Sequence, residues 1–151
     1  MWRAMPEEIV MAFDFGEKRI GVAVGNTVTA QAQPLTTLHV ESNQDRLAAV
    51  GKLVAEWRPS RFVIGEATYG NETDDASIHP IAHLARKFGN RLKENFRLPV
   101  EYVNEYLSSS AAEQLLNERG IKGIAQKEHI DAVAAQIILQ NYLDEASRHA
   151  A

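Results

Sequence analysis

Ile9-Val10-Met11-Ala12-Phe13-Asp14-Phe15-Gly16-Glu17-Lys18-Arg19-Ile20-Gly21-Val22-Ala23-Val24 sets one acid inside an otherwise apolar run that ends in a basic turn. Seven residues from Ile9 to Phe15, nearly all apolar, predict a central strand buried on both faces. Gly16-Glu17-Lys18 reads as a turn and Ile20 to Val24 as the returning strand. Strand alternation puts Ala12 and Asp14 on one face, and Met11, Phe13 and Phe15 on the other. Pairing Phe13 with Val22 sets Asp14 against Gly21 and Ala12 against Ala23. Large residues then meet large ones, and the carboxylate is left among small neighbours with open space around it. A buried, unpaired carboxylate is strongly disfavoured, so Asp14 calls for a partner. The same residue also fits a strand-end aspartate that caps the turn.

Outward from this hairpin the periodicity changes. A third strand is expected within 29–40, with Pro34 interrupting its middle. Leu47, Val50, Val54 and Trp57 recur at helical spacing up to Pro59, which ends the helix. Arg61-Phe62-Val63-Ile64-Gly65 reads as a short buried strand and residues 71–76 as a polar turn. A second helix carries Ile78, Ile81, Ala85, Phe88 and Leu92 on its apolar face, and Pro99 to Val103 forms a fifth strand. Ser110 with Glu113 opens a third helix as a capping box, and Gly120 closes it. Residues 120–127 read as a mobile loop, before a final helix from about 128 to 148. The order β-β-β-α-β-α-β-α-α predicts one α/β domain over residues 1–151, in which a three-stranded antiparallel meander joins parallel strands in a mixed sheet flanked by helices.

The composition suits one globular domain: 151 residues, 45% hydrophobic and 24% charged, with no internal repeat. Without cysteine there is neither a disulfide nor a thiolate metal site, as a reducing compartment would allow. No signal-peptide core and no run near the ~20 apolar residues of a membrane span is present, so a cytoplasmic protein with no membrane partner is expected. A net charge of −4 argues against a purely electrostatic nucleic-acid binder. Two divalent cations on clustered carboxylates would bring it to zero, so the distribution of charge matters more than its sum.

Two further acids stand out. Asp131 shares a stripe of the last helix with Ala135, Ile138 and Tyr142, at about 100° per residue. It is also read near the helix start, where an aspartate complements the dipole. Glu105 follows Val100-Glu101-Tyr102-Val103 at the carboxyl end of a strand, where ligands collect in open α/β sheets. Asn104-Glu105 equally reads as a polar strand exit. One pocket could hold all three acids. Oxygen donors without cysteine select Mg2+ or Mn2+ over zinc, and such ions support phosphodiester hydrolysis. His79, His83 and His129 read as surface or partly packed residues rather than ligands. Arg86, Lys87, Arg91, Lys93 and Arg97 form the densest basic stretch, which fits either a phosphate-backbone track or the solvated face of an amphipathic helix.

The segment from Met11 to Val24, together with Val103-Asn104-Glu105-Tyr106-Leu107-Ser108-Ser109 and His129-Ile130-Asp131-Ala132-Val133-Ala134-Ala135, resembles the bacterial pre-16S ribosomal RNA nuclease family. That family is also described as Holliday-junction-resolvase-like, and its fold is ribonuclease H-like. The resemblance covers essentially the whole chain. It implies that Asp14, Glu105 and Asp131 are the catalytic, metal-binding acids, and that Lys18 and Arg19 sit in a turn beside them and hold a phosphate. It further implies a metal-dependent nuclease that processes pre-16S rRNA in ribosome biogenesis, with RNA favoured over a four-way DNA junction. Asn104 stands where the family usually has aspartate. Residues 65–72 also depart from the family's Gly-Leu-Pro and Asp-Gly pattern, so substrate contacts there do not carry over. The competing functions are a Holliday-junction resolvase, a non-catalytic nucleic-acid- or ribosome-binding module, and an ATP-dependent kinase or actin-like ATPase, which would require two such domains. The chain is expected to act as a monomer or a weak homodimer.

Overall fold

The computed structural model describes residues 8–16, 18–39, 42–67, 80–105 and 124–150; for 66, 67, 104, 105, 124–129 and 147–150, among others, it describes the backbone course. β1 (Ile9–Phe15), β2 (Ile20–Asn26) and β3 (Gln31–Leu38) form the antiparallel meander, and β4 (Arg61–Ala67) and β5 (Val100–Glu105) join β1 in parallel. The sheet order is β3-β2-β1-β4-β5. Three helices are described: α1 (Asn43–Trp57), α2 (Pro80–Phe96) and α3 (Ile124–Ala150). The mixed five-stranded sheet expected from the sequence is therefore observed. The helix read from Ser110 and Glu113, the turn at 71–76 and Ile78 lie outside the described residues.

The hairpin register is Phe13↔Val22, Asp14↔Gly21 and Ala12↔Ala23. Its two faces build two different cores. Met11, Phe13 and Phe15 join Ile20, Val22, Phe62, Ile64, Phe88 and Leu92 in a large-residue core beneath α1 and α2. Phe13 meets Phe88 edge-on at 5.4 Å and Phe62 at 5.7 Å, offset contacts that aromatic quadrupoles favour. On the opposite face Val10, Ala12, Ala23 and Val63 pack against Ala135, Ile138, Leu139 and Leu143 of α3. The seam of small residues lets α3 lie close to the sheet.

Local signals end the elements as chemistry requires. Ser42 caps α1 by accepting from the Asp45 amide at 3.1 Å, and Arg58 closes it in a left-handed conformation just before Pro59. Pro34 is accommodated because β3 is an edge strand and the β2–β3 register shifts between Val22 and Ala23. The exposed edge of β3 is covered from α3. The Ala32 amide donates to Gln140 Oε1 at 2.9 Å, and Gln136 Nε2 donates to the Ala32 carbonyl at 3.1 Å.

Two boundaries differ from the sequence expectation. Residues 124–127, read as part of a loop, are the first turn of α3. Asp131 is consequently two turns inside the helix, so the helix-start explanation for it is withdrawn. β5 continues through Asn104 and Glu105, which makes Glu105 a strand residue rather than a strand exit.

Candidate active site

The strand registers line up a single row across the sheet: Thr37, Gly21, Asp14, Gly65 and Val103. Asp14 is half-buried near the end of β1, on the face covered by α3. Gly21 beside it is where α3 comes nearest. A Cβ placed there would lie 1.8 Å from the Asp131 carbonyl oxygen and 2.2 Å from its carbon, so only glycine permits the contact. An isolated glycine in a strand signals close backbone approach, and here the approaching backbone is that of Asp131. Thus the backbone of Asp131 on α3 lies over the strand neighbour of Asp14 on β1.

Glu105 ends β5 opposite Ala67, two residues beyond Val103, with the parity of the same face. β4 separates β5 from β1, so its backbone lies roughly 10 Å across the sheet from that of Asp14, at about 4.8 Å per strand. Both positions are at the carboxyl ends of parallel strands. The Glu105 side chain lies outside the described residues. Among the described residues no group of three His, Cys, Asp or Glu side chains is arranged to hold a metal.

Of the two basic turn residues, Arg19 turns toward the acids. Its Nε lies 3.3 Å from Asp131 Oδ2, with the side chains 46% and 17% exposed respectively. The contact is within ion-pair range but is not aligned as a hydrogen bond, and Asp131 Oδ2 is buried without one. Burial pushes the Asp131 carboxyl above its ordinary value, and Arg19 and then His39 pull it back. Lys18 is exposed on the turn and makes no ion pair among the described residues. Gly16 lets the turn close, since a Cβ there would meet the Arg19 carbonyl oxygen at 2.6 Å.

His39 is a site neighbour that the sequence reading did not single out. It follows β3, whose Leu38 pairs with Ile20, so it emerges beside Arg19 at the same sheet edge. Its signal was available only through the β2–β3 register, which the bulge at Val22/Ala23 conceals from sequence.

Asp14 on β1 and Asp131 on α3, both partly buried, thus lie at the carboxyl edge of a β3-β2-β1-β4-β5 sheet, an arrangement shared with resolvase folds. Solved structures bear out the fold. Thermus thermophilus RuvC in complex with a Holliday junction substrate superposes with TM-score 0.57 at 18% identity, covering 93% of this chain and 96% of that one. The fowlpox virus resolvase, solved with Holliday junction DNA, gives 0.55 at 11% identity, covering 91% and 98%. Residues 8–145 match the RuvX family, described as Holliday junction resolvase, and the chain belongs to that family. A relative from Dechloromonas aromatica named "Putative pre-16S rRNA nuclease" is 52% identical over 135 residues, covering 89% of this chain and 90% of its own. One of the same name from Methylobacillus flagellatus is 47% identical over 135 residues, with the same coverages.

Proposed function

We propose that this chain is a metal-dependent nuclease that hydrolyses phosphodiester bonds in the processing of pre-16S rRNA, in the cytoplasm. The observation that carries the reading is the placement of Asp131 over Gly21, in the row of Asp14, with a buried carboxylate oxygen that no hydrogen bond satisfies. A buried acceptor of this kind suits a cation. All the donors are oxygens, which fits Mg2+ or Mn2+. Asp14, Glu105 and Asp131 would hold the metal, and its chemistry there is to activate water and stabilise charge on the phosphate oxygens. The names of the relatives support pre-16S rRNA as the substrate.

The chain's own residues divide the remaining work. The close seat of α3 on β2 fixes the Asp131 backbone relative to Asp14. Arg19 orients the Asp131 carboxylate and favours its charged form against burial. Lys18 and the exposed edge of Arg19 reach solvent on the same turn, where they would bind and orient a substrate phosphate.

The second reading is a Holliday-junction resolvase, favoured by the description of the family and by the junction-bound structures that share the fold. The test is cleavage of labelled pre-16S rRNA and of a four-way DNA junction, with Mg2+ or Mn2+, by wild type and Asp14→Asn. Metal-dependent cutting of RNA that Asp14→Asn abolishes is expected. Cutting of the junction alone would transfer the site to the second reading. Absence of cutting on both, or equal cutting by the variant, would refute catalysis.

A further inference from the structure

Resting on the nuclease reading, we infer that the outer face of α2 is a second substrate contact, which grips the phosphate backbone of the nucleic acid away from the point of cleavage. Ala85, Phe88 and Leu92 bury one side of α2 in the large-residue core, which lies on the opposite face of the sheet from Asp14. The other side exposes His83, Arg86, Lys87, Asn90 and Lys93, with Arg97 just past the helix end. Between Pro80 and Arg97 there are five Arg and Lys residues against the single acid Glu94, in a chain whose net charge is −4. Arg86, Lys93 and Arg97 fall within about 20° of one line, and the line is about 16 Å long at 1.5 Å per residue. That length faces several phosphates of one strand, spaced at roughly 3.4 Å along a duplex axis.

A solvated helix face is usually laced with opposite charges three or four residues apart. Among the described residues Lys87, Arg91, Lys93, Arg97 and Glu94 make no ion pair. The Arg86 guanidinium carbon lies 4.2 Å from the centre of the Tyr102 ring. Gly89 makes this possible, since a Cβ there would come within 2.1 Å of the Tyr102 hydroxyl. A guanidinium held against a ring is pre-oriented at the surface, and its charge adds to that of the α2 face. Tyr102 lies three residues before Glu105 on β5, about 10 Å along the strand. β5 is the edge strand of the sheet among the described residues, and the inferred path of the nucleic-acid strand runs from the acids round that edge to Arg86 and then along α2.

The test measures binding of a labelled single-stranded pre-16S fragment by fluorescence anisotropy across a salt series without divalent metal, so that it does not depend on cleavage. The full chain is compared with the Lys87→Gln/Lys93→Gln/Arg97→Gln variant and with Lys52→Gln, an exposed lysine of the neighbouring helix α1 and not of α2. Three lost phosphate contacts should lower the slope of log K against log salt by about 2, and weaken binding roughly tenfold or more at low salt. Lys52→Gln should bind as wild type does. A triple variant with unchanged slope, or an equal effect from Lys52→Gln alone, would overturn the inference. If the cleavage test fails yet the slope drops as expected, the surface stands as a binding face and only the catalytic reading falls. Arg86→Lys keeps the charge but loses the planar stack; weaker binding with an unchanged slope is expected, and wild-type affinity would remove the Tyr102 platform from the argument.

Discussion

Gly21→Ala tests whether the approach of α3 to β2 is what assembles the site. The added methyl would stand 1.8 Å from the Asp131 carbonyl oxygen, 2.2 Å from its carbon and 2.9 Å from the Ala132 nitrogen. Ordinary contact begins near 3.4 Å, so about 1.6 Å must be found, and every obstructing atom belongs to backbone. No side chain can rotate away; α3 or β2 has to move. The helix is seated on Ala132, Ala135, Ile138 and Leu139, all buried, so the shift loosens an interface already packed. Overpacking of this kind costs about 1–3 kcal/mol, which in a domain of this size lowers Tm by roughly 2–12 °C. A displacement of an ångström or more in a catalytic group costs on the order of a hundredfold in rate. Thermal unfolding and RNA cleavage should therefore both fall in Gly21→Ala. Gly51→Ala in α1 is the matched control: its Cβ would meet only Phe96 at 3.8 Å, and alanine in a helix gains about 0.5–1 kcal/mol over glycine. A Gly21→Ala protein with wild-type Tm and activity would refute the proposed seat of Asp131.

Mg2+ at a hundred times its Kd should stabilise the chain by about 2.7 kcal/mol, raising Tm by roughly 5–10 °C, and Asp14→Asn should abolish the shift in scanning fluorimetry. Asp131 has a folded-state pKa above its ordinary 3.8, so the fold prefers its protonated form and loses stability as pH rises through that interval. Asp131→Asn without metal should accordingly raise Tm at pH 7, and the gain should shrink as pH falls and the carboxyl takes up its proton. A gain that persists unchanged in acid would show that burial of the charge is not its cause. Gln140→Ala removes the 2.9 Å bond from the Ala32 amide and the 2.7 Å bond to the Ala30 carbonyl. It should cost about 1–2 kcal/mol and expose the β3 edge to self-association, read by melting and light scattering; unchanged scattering with wild-type Tm would count against edge protection.

The hairpin was legible because its constraints are local. One acid among large apolar residues, opposite alternating Gly21, Ala23 and Val22, admits a single register that keeps both faces consistent. The amphipathic period of α1 and its stop at Pro59 were legible for the same reason. The start of α3 was not. Residues 120–127 contain two glycines and no N-cap pattern that stands out, so nothing in the local sequence marks the helical first turn at Ile124. That misplacement had a consequence for Asp131, which at a helix start would have needed no further explanation. His39 escaped notice because its nearness to Asp131 depends on a bulged edge strand.

The two faces of the sheet divide stability from position, and the division explains why the acids are on the side they are. Phe13, Phe62, Phe88 and Leu92 bury large apolar area on the α1–α2 face, and a carboxylate there would face side chains too bulky to leave room for an ion or a phosphate. On the α3 face Ala12, Gly21, Ala23, Ala132 and Ala135 contribute little area each, but they draw the helix backbone close to the sheet. On the proposed reading closeness is what the acids require, because carboxylates that share a cation must approach one another, and without the cation they would repel. Arg19 supplies part of that cation from within the chain, at 3.3 Å but not in hydrogen-bond alignment. A partner that neutralised Asp131 fully would compete with a divalent ion; one that neutralises it in part keeps the carboxylate charged and still leaves the buried oxygen in want of a ligand. Arg19→Gln should on this argument tighten or loosen Mg2+ only modestly while slowing cleavage. Arg19→Glu should abolish RNA turnover with the fold retained, and full activity in Arg19→Glu would remove Arg19 from the site.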